Sequence, residues 1–390
     1  MKDFTYHNPV RMFCGEGRLP EVLEEIERHG SKVLIVLGGE SFVRNGNYAP
    51  FIAALDRAGI EHLEMRGNRV PSLAAARRGI DLCRREHVDC VLDIGGGVCM
   101  DLAKTIAFGA RQSRDIWEYL TQAAKPDTMD HLPMGTIPTF PSSGSDMDGS
   151  TQITDDETGR QAGLWGVYPD FTWLNPAYID SLSASALAQG QITTFVQVSI
   201  AYLGLERSGV AEAMALSLMT SILDNLRRLM RSPGDREIRT ELMVLSALNV
   251  SGLTTLGKEG DWSLYPLEGI AQNACGVDYR QAITVLFPYW LRQCYGGQQV
   301  FRDYFSRVFA VACDGKDDET ILSEGLRAIF DLYREFSLPV SFREITDEPG
   351  DPRALRDAIR MVGEQRSMYT TFTPERIETM MREAIAGPAR

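Results

Sequence analysis

Along the first half of the chain, two kinds of segment take turns. Short unbroken apolar runs, Lys32 to Leu37 (KVLIVL) and Cys90 to Ile94 (CVLDI), read as buried parallel strands, and Glu61 to Arg66 reads as an edge strand. Between and after them lie helical patterns, Tyr48 to Ala58, Ser72 to Glu86 and Leu102 to Gly109, then the segment Asp115-Ile-Trp-Glu-Tyr. Strands alternating with helices of ~10–15 residues predict a doubly wound parallel sheet that binds ligands beyond the carboxyl ends of its strands. Past Pro176 the pattern changes, and from Ser181 to Ala386 nearly everything reads as helix, with Thr373 as an N-cap before Pro374 and Glu375. A boundary near Asn175 to Ser181 follows. It gives an α/β domain over residues 1–178 and an all-helical domain over 179–390, with an active cleft expected between the halves.

The stretch Val91 to Ala107 organises the first domain. Its apolar run ends in Asp93, Gly95, Gly96 and Gly97 follow, and a helix-forming segment begins. Glycines let a pyrophosphate approach the backbone, and the first amides of the helix point at it. Glycine also serves packing alone in such turns. Asp101 and Lys104 behind the triplet, in the pattern GGGxxxDxxK, favour the phosphate reading. A second turn, Gly38, Gly39, Glu40 and Ser41, closes the KVLIVL strand, so one ligand could touch both turns. A third loop, Gly135 to Gly149, is dense in hydroxyls, Pro and Gly, which suits donors for phosphate or ribose and also suits a plain surface connection.

Composition narrows the class. A chain of 390 residues defaults to two domains, and 44% apolar with 24% charged residues is ordinary for a soluble globular protein. The net charge of −13 argues against nucleic acid or an anionic membrane as partner. Seven cysteines without a CxxC pair read as reduced thiols in a cytoplasm. The N-terminus lacks the apolar core of a signal peptide, and no window reaches ~18 uninterrupted apolar residues.

Asn8, Pro9, Phe13 and Gly17, then GGESFVRNG at 38–46, GGGVCMDLAK at 95–104, TIPTFPSSGSD at 136–146, WLNP at 173–176 and DW at 261–262, resemble the iron-containing alcohol dehydrogenase family. The nearest likeness is to its butanol dehydrogenase or aldehyde reductase branch. The resemblance implies a Rossmann-like dinucleotide-binding domain followed by a helical domain, the dehydroquinate synthase-like fold, working on a small molecule as a homodimer. It implies that Gly38, Gly39 and Ser41 sit at the adenosine ribose, where NADP is expected and NAD is the alternative. By the same likeness Gly95, Gly96 and Gly97 cradle the pyrophosphate, Asp101 lies near the nicotinamide with a catalytic role, and Thr136, Thr139 and Ser143 line the cofactor. The family's serine after the glycines is Val98 here, and its EPNP-like run reads NRVP over 68–71.

In the second half the resemblance breaks. Family members hold a divalent metal through an aspartate and a histidine four residues apart on one helix, plus two later histidines. Here Thr193 and Gln197 stand at the first pair of positions, Tyr265 and Tyr279 at the later two, and Gly269 where many members carry a further histidine. All five histidines, His7, His29, His62, His87 and His131, lie outside the helical domain. No metal is therefore expected, because an amide, a hydroxyl and two phenols of pKa ~10 make a poor ligand set at neutral pH. A relocated site from Asp261, Glu268, Cys275 and Asp278 is conceivable, although these residues serve more easily as caps and packing. Two functions follow. One is a metal-independent NAD(P) oxidoreductase acting on a small aldehyde, ketone or alcohol, with the phenol of Tyr265 or Tyr279 polarising the substrate oxygen. The other is a pseudoenzyme that binds a nucleotide or metabolite as a regulatory partner. Each tyrosine can also be read as a core aromatic with a satisfied hydroxyl.

Overall fold

The structure is a computed structural model that describes residues 1–68, 70–347 and 350–388. The chain divides into two compact units. A sheet unit comprises residues 7–183 and 227–252, and a helical unit comprises 1–6, 184–226 and 253–390.

In the sheet unit, β1 (Arg11–Cys14) is followed by α1 (Leu19–His29), β2 (Lys32–Leu37), α2 (Ser41–Arg44), α3 (Tyr48–Arg57) and β3 (Glu61–Met65). Then come α4 (Leu73–Glu86), β4 (Cys90–Gly95), α5 (Gly97–Gly109), α6 (Ile116–Leu120), β5 (Met134–Pro138), an antiparallel hairpin of β6 (Ser150–Thr154) and β7 (Gln161–Trp165), and β8 (Phe171–Leu174). Six strands form one parallel sheet in the order β1-β8-β5-β4-β2-β3.

Alternation explains why β2 reads as unbroken apolar sequence. Leu34 and Val36 face one core with α4 and α5, while Val33, Ile35 and Leu37 face the other with α1 and α3. Each such side chain contributes ~1.5–3 kcal/mol by leaving water. Helix α4 forms because Leu73, Ala76, Ile80 and Cys83 recur on one buried face. Ser72 starts it by accepting the amide of Ala75 at 3.1 Å, and His87 at φ 52° ends it in the left-handed region.

Helix α5 starts at Gly97 rather than at Leu102, because the glycine turn is itself the helix N-terminus. The hairpin β6–β7 is absent from the sequence expectations; its strands bury only Thr151 and Ile153, too weak a pattern to read beforehand.

The helical unit contains α7 (Ala184–Tyr202), and α8 (Gly209–Arg231) begins in it. Helix α9 (Arg236–Asn249) belongs to the sheet unit. The remaining helices of the helical unit are α10 (Leu264–Cys275), α11 (Tyr279–Cys294), α12 (Gln299–Phe309), α13 (Asp318–Glu335), α14 (Pro352–Val362) and α15 (Pro374–Ala386). A two-residue pairing of β9 (Gln365–Arg366) with β10 (Thr371–Phe372) is its one piece of sheet among the described residues. Thr373 caps α15 by accepting the amide of Arg376. The unit division falls after Ser183, and residues 227–252 return to the sheet unit instead of joining the later helices. Arg239 on α9 ties that segment down, donating to the carbonyls of Ile179 at 2.6 Å and Leu182 at 3.0 Å.

Candidate active site

In the sheet unit the chain runs from β2 outward to β3 and then crosses back to β4 on the other side of β2. The carboxyl ends of β2 and β4 therefore flank a topological switch point, where open α/β sheets bind ligands. Both glycine turns lie there, and the Gly38 amide donates to the carbonyl of Ile94 at 3.3 Å. The turns approach closely because they lack side chains. A Cβ on Gly38 or Gly95 would stand 2.9 or 2.6 Å from the Cys99 sulfur, whereas a Cβ on the exposed Gly39 would meet nothing within 4 Å. N-cap Gly96 offers no side chain to the first amides of α5, leaving a helix N-terminus ready for an anion. Ser41 is exposed at the start of α2. These features suit a dinucleotide pyrophosphate.

The third loop starts at the same turn, where the Thr139 amide donates to the Gly95 carbonyl at 2.8 Å. Ser143 lies so near that a Cβ on Gly97 would come within 3.0 Å of its hydroxyl. Thr136, expected along the cofactor, is fully buried within the sheet, and its hydroxyl has no partner among the described residues. Of the NRVP run, Arg69 lies outside the described residues. Asn68 is nearly buried and donates to the carbonyls of Leu37 and Met65 at 2.9 and 3.0 Å.

Asp101 and Lys104 share a face of α5, and the spacing that singled them out has a structural purpose. The fully buried Lys104 ammonium donates to Ser145 Oγ at 2.9 Å, Asp148 Oδ1 at 2.8 Å and the Ser150 carbonyl at 2.9 Å. Ser145 in turn donates to Asp101 Oδ1 at 3.0 Å, and the Gln152 amide reaches Asp101 Oδ2 at 3.3 Å. Lys104 thus clamps the third loop onto α5, a role the sequence reading does not give it. Burial pushes Asp101 up to about 7 and Asp146 up to about 6. Asp93, on β4 beside Thr136 in the register, is buried with both carboxylate oxygens unpartnered among the described residues. Burial first, and the nearby Asp146 second, hold it well above the usual carboxylate range.

In the helical unit, three of the four residues that the resemblance puts at metal-ligand positions converge. Gln197 Nε2, on the buried α7, donates to Tyr265 Oη at 2.8 Å and Tyr279 Oη at 3.1 Å. The two phenol oxygens are 3.5 Å apart and the rings tilt at 38°. Tyr265 lies in the first turn of α10 and Tyr279 is the first residue of α11. Both tyrosines are partly exposed, and Gln197 is buried. Thr193, one turn earlier on α7, instead donates to the Gln189 carbonyl at 3.0 Å and lies 3.4 Å from Thr284 Oγ1. The tyrosines are half-buried polar groups, not enclosed core aromatics.

This set does not fit a catalytic metal, since it contains no imidazole, thiolate or carboxylate. The conceivable substitute site is not assembled either. Asp261 accepts from Ser367 Oγ at 2.5 Å and the Met368 amide at 2.9 Å. Asp278 closes a capping box with Gln281 at the start of α11. Cys275 is a buried thiol at the end of α10, raised to about 11 by burial. Among the described residues no three His, Cys, Asp or Glu side chains are arranged to hold an ion. All seven cysteines are free thiols, and no helix of the described residues is long and apolar enough to cross a membrane.

Comparison with known proteins covers nearly the whole chain. Residues 9–176 match the family model described as iron-containing alcohol dehydrogenase, and residues 187–385 match the C-terminal model of the same family. The probable NADH-dependent butanol dehydrogenase 1 of Bacillus subtilis is 28% identical over 90% of this chain and 92% of its own length. The NADPH-dependent aldehyde reductase of Escherichia coli is 25% identical over 87% of this chain and 88% of its own. Among solved structures, the NADH-dependent butanol dehydrogenase A of Thermotoga maritima superposes with a TM-score of 0.89, covering 99% of both chains at 24% identity.

Proposed function

The chain belongs to the iron-containing alcohol dehydrogenase family, and from that premise we propose that it reduces a small aldehyde or ketone with NAD(P)H, using a neutral polar site in place of a metal. One observation carries the reading: a single buried amide, Gln197, donates to both phenol oxygens of Tyr265 and Tyr279. Each phenol oxygen accepts a hydrogen bond from a Gln197 N–H, and the Tyr279 hydroxyl donates to the Tyr265 oxygen at 3.5 Å.

A dinucleotide bound at Gly38, Gly39, Ser41 and Gly95 to Gly97 supplies the hydride. The chain's own groups do the rest. Tyr265 and Tyr279 offer O–H donors to a carbonyl oxygen, and each can stabilise the charge that grows there by up to ~3 kcal/mol. Tyr265, the closer of the two to Gln197, then gives up its proton as the alcohol forms. Such donors suffice for an activated carbonyl more readily than for oxidising a simple alcohol, where the proton must leave a weak acid. On this reading Asp101, Thr139 and Ser143 serve the cofactor. NADP is the preferred cofactor on the exposed hydroxyl of Ser41, while the exposed carboxylate of Glu40 beside it in the same turn suits the ribose 2′-hydroxyl of NAD; the relatives include enzymes named for each cofactor.

A pseudoenzyme is the competing reading, favoured by the simultaneous replacement of every family ligand. Titration with NADPH and NADH by fluorescence, followed by turnover against a panel of aldehydes and keto acids, separates the two. Binding with turnover supports the oxidoreductase. Tight binding without turnover across the panel supports the pseudoenzyme, and no dinucleotide binding removes both.

A further inference from the structure

Trp262 stands out in the sequence only as half of the DW pair, and the reading above gives it no task. It lies in the turn just before α10 and is 39% exposed. Its two chain neighbours are buried and held: Asp261 accepts from Ser367 Oγ and the Met368 amide, and Ser263 Oγ accepts from the Trp290 indole N–H at 3.0 Å. Gly260 backs the Trp262 indole so closely that a Cβ there would stand 3.0 Å from it. The indole meets the Tyr265 ring edge to face, with centroids 5.7 Å apart and planes at 67°. Tyr265 in turn meets the Tyr279 ring at 6.3 Å. A single exposed aromatic is ordinary on a protein surface. Here three partly exposed rings stand in a row, and two of them carry the phenol oxygens that Gln197 holds.

The elements that carry these rings bring little charge to them. Helices α7 and α10 have one charged side chain between them, Glu268, which is fully buried with Oε2 accepting from Gln272 Nε2 at 2.6 Å. On α11, Arg280 lies 2.8 Å from Asp278 and Arg292 lies 3.4 Å from Glu383. Lys258, four residues before Trp262, is buried and donates to the Tyr202 carbonyl at 2.7 Å. Each of these cations already serves an acceptor. A substrate carboxylate, phosphate or sulfonate laid against the rings would lose water without gaining a counter-ion.

We propose that Trp262 determines specificity at the candidate site, and that the substrate is an uncharged aromatic aldehyde or ketone whose ring lies against the indole while its carbonyl oxygen accepts from the Tyr265 phenol. The proposal rests on the carbonyl-reductase reading above. A substrate ring gains from an aromatic partner beyond the area it buries, and a short alkyl chain has no such gain. The indole touches the part of the substrate that does not react, so its contribution is equal before and during hydride transfer and belongs in KM rather than kcat.

The test compares kcat/KM with NADPH for benzaldehyde, butyraldehyde and 4-carboxybenzaldehyde in the wild type, Trp262→Ala and Trp262→Phe. The wild type should favour benzaldehyde by roughly tenfold or more over each of the other two. Trp262→Ala should shrink the benzaldehyde-to-butyraldehyde ratio by roughly tenfold, chiefly by raising KM for benzaldehyde, whereas Trp262→Phe, which keeps a ring, should hold it within about threefold of the wild type. A ratio that Trp262→Ala leaves unchanged, or a wild type that takes the three aldehydes equally, overturns the assignment and leaves the reductase reading standing. If Trp262→Ala does not fold, Trp262→Leu makes the same comparison with apolar bulk and no ring. A wild type that reduces other carbonyls but not benzaldehyde overturns the assignment alone; one that binds NADPH and reduces no carbonyl removes the reductase reading with it.

Discussion

Gln197 has two amide protons and two phenol oxygens to receive them, and this pairing holds the tyrosines in one geometry. Gln197→Leu keeps volume and removes both donors. With ~0.5–1.5 kcal/mol per net hydrogen bond, aldehyde turnover should fall roughly 10–100-fold with Kd for NADPH unchanged, as steady-state kinetics and fluorescence titration would report. Asp93 poses a different residue-scale question, since it is buried without a partner among the described residues and is held well above its ordinary range by burial. An acid that binds its proton more tightly folded than unfolded favours the fold at low pH. That stability is fully present below the unfolded value of ~4 and is lost as pH rises through the folded one. Asp93→Asn, which cannot ionise, should therefore lose less melting temperature than the wild type between about pH 5 and pH 9. Parallel losses in the two proteins would mean that Asp93 keeps its charge in the fold.

At the scale of elements, the glycine turns divide into those the fold needs and those left for a ligand. Gly39 is exposed, is not restricted to the left-handed region, and would carry a Cβ that meets nothing within 4 Å, so Gly39→Val should leave the melting temperature within about 2 °C. If the adenosine end of the dinucleotide lies against it, the same change should weaken NADPH binding at least tenfold. Unchanged affinity would move the cofactor away from this turn. The strand–turn–helix units were legible in the sequence because parallel strands buried on both faces read as unbroken apolar runs, and because Ser72 and Thr373 are unambiguous caps. Two things were not. The β6–β7 hairpin carries too few buried side chains to stand out, and Lys104, visible in GGGxxxDxxK, hides its purpose because Ser145, Asp148 and Ser150 reach it from more than forty residues away.

Across the whole molecule, periodicity identified a helical second half without saying which unit each helix joins. Residues 227–252 look like their neighbours in sequence, yet Arg239 binds them to the carbonyls that end the sheet unit. The family resemblance singled out Gln197, Tyr265 and Tyr279 together, and in the fold these three side chains meet. Glu268 was visible only as a spare carboxylate, since its burial depends on how α10, α11 and α14 close around it. The central claim is that a neutral polar site performs the chemistry that the family assigns to a metal. It is tested most directly by NADPH-dependent aldehyde turnover in protein dialysed against chelator, with metal content measured on the same sample. The account predicts turnover undiminished at well under one Fe, Zn, Mn or Ni per chain. Turnover that disappears with the metal and returns on adding it back, or near-unit metal that survives dialysis, would contradict it.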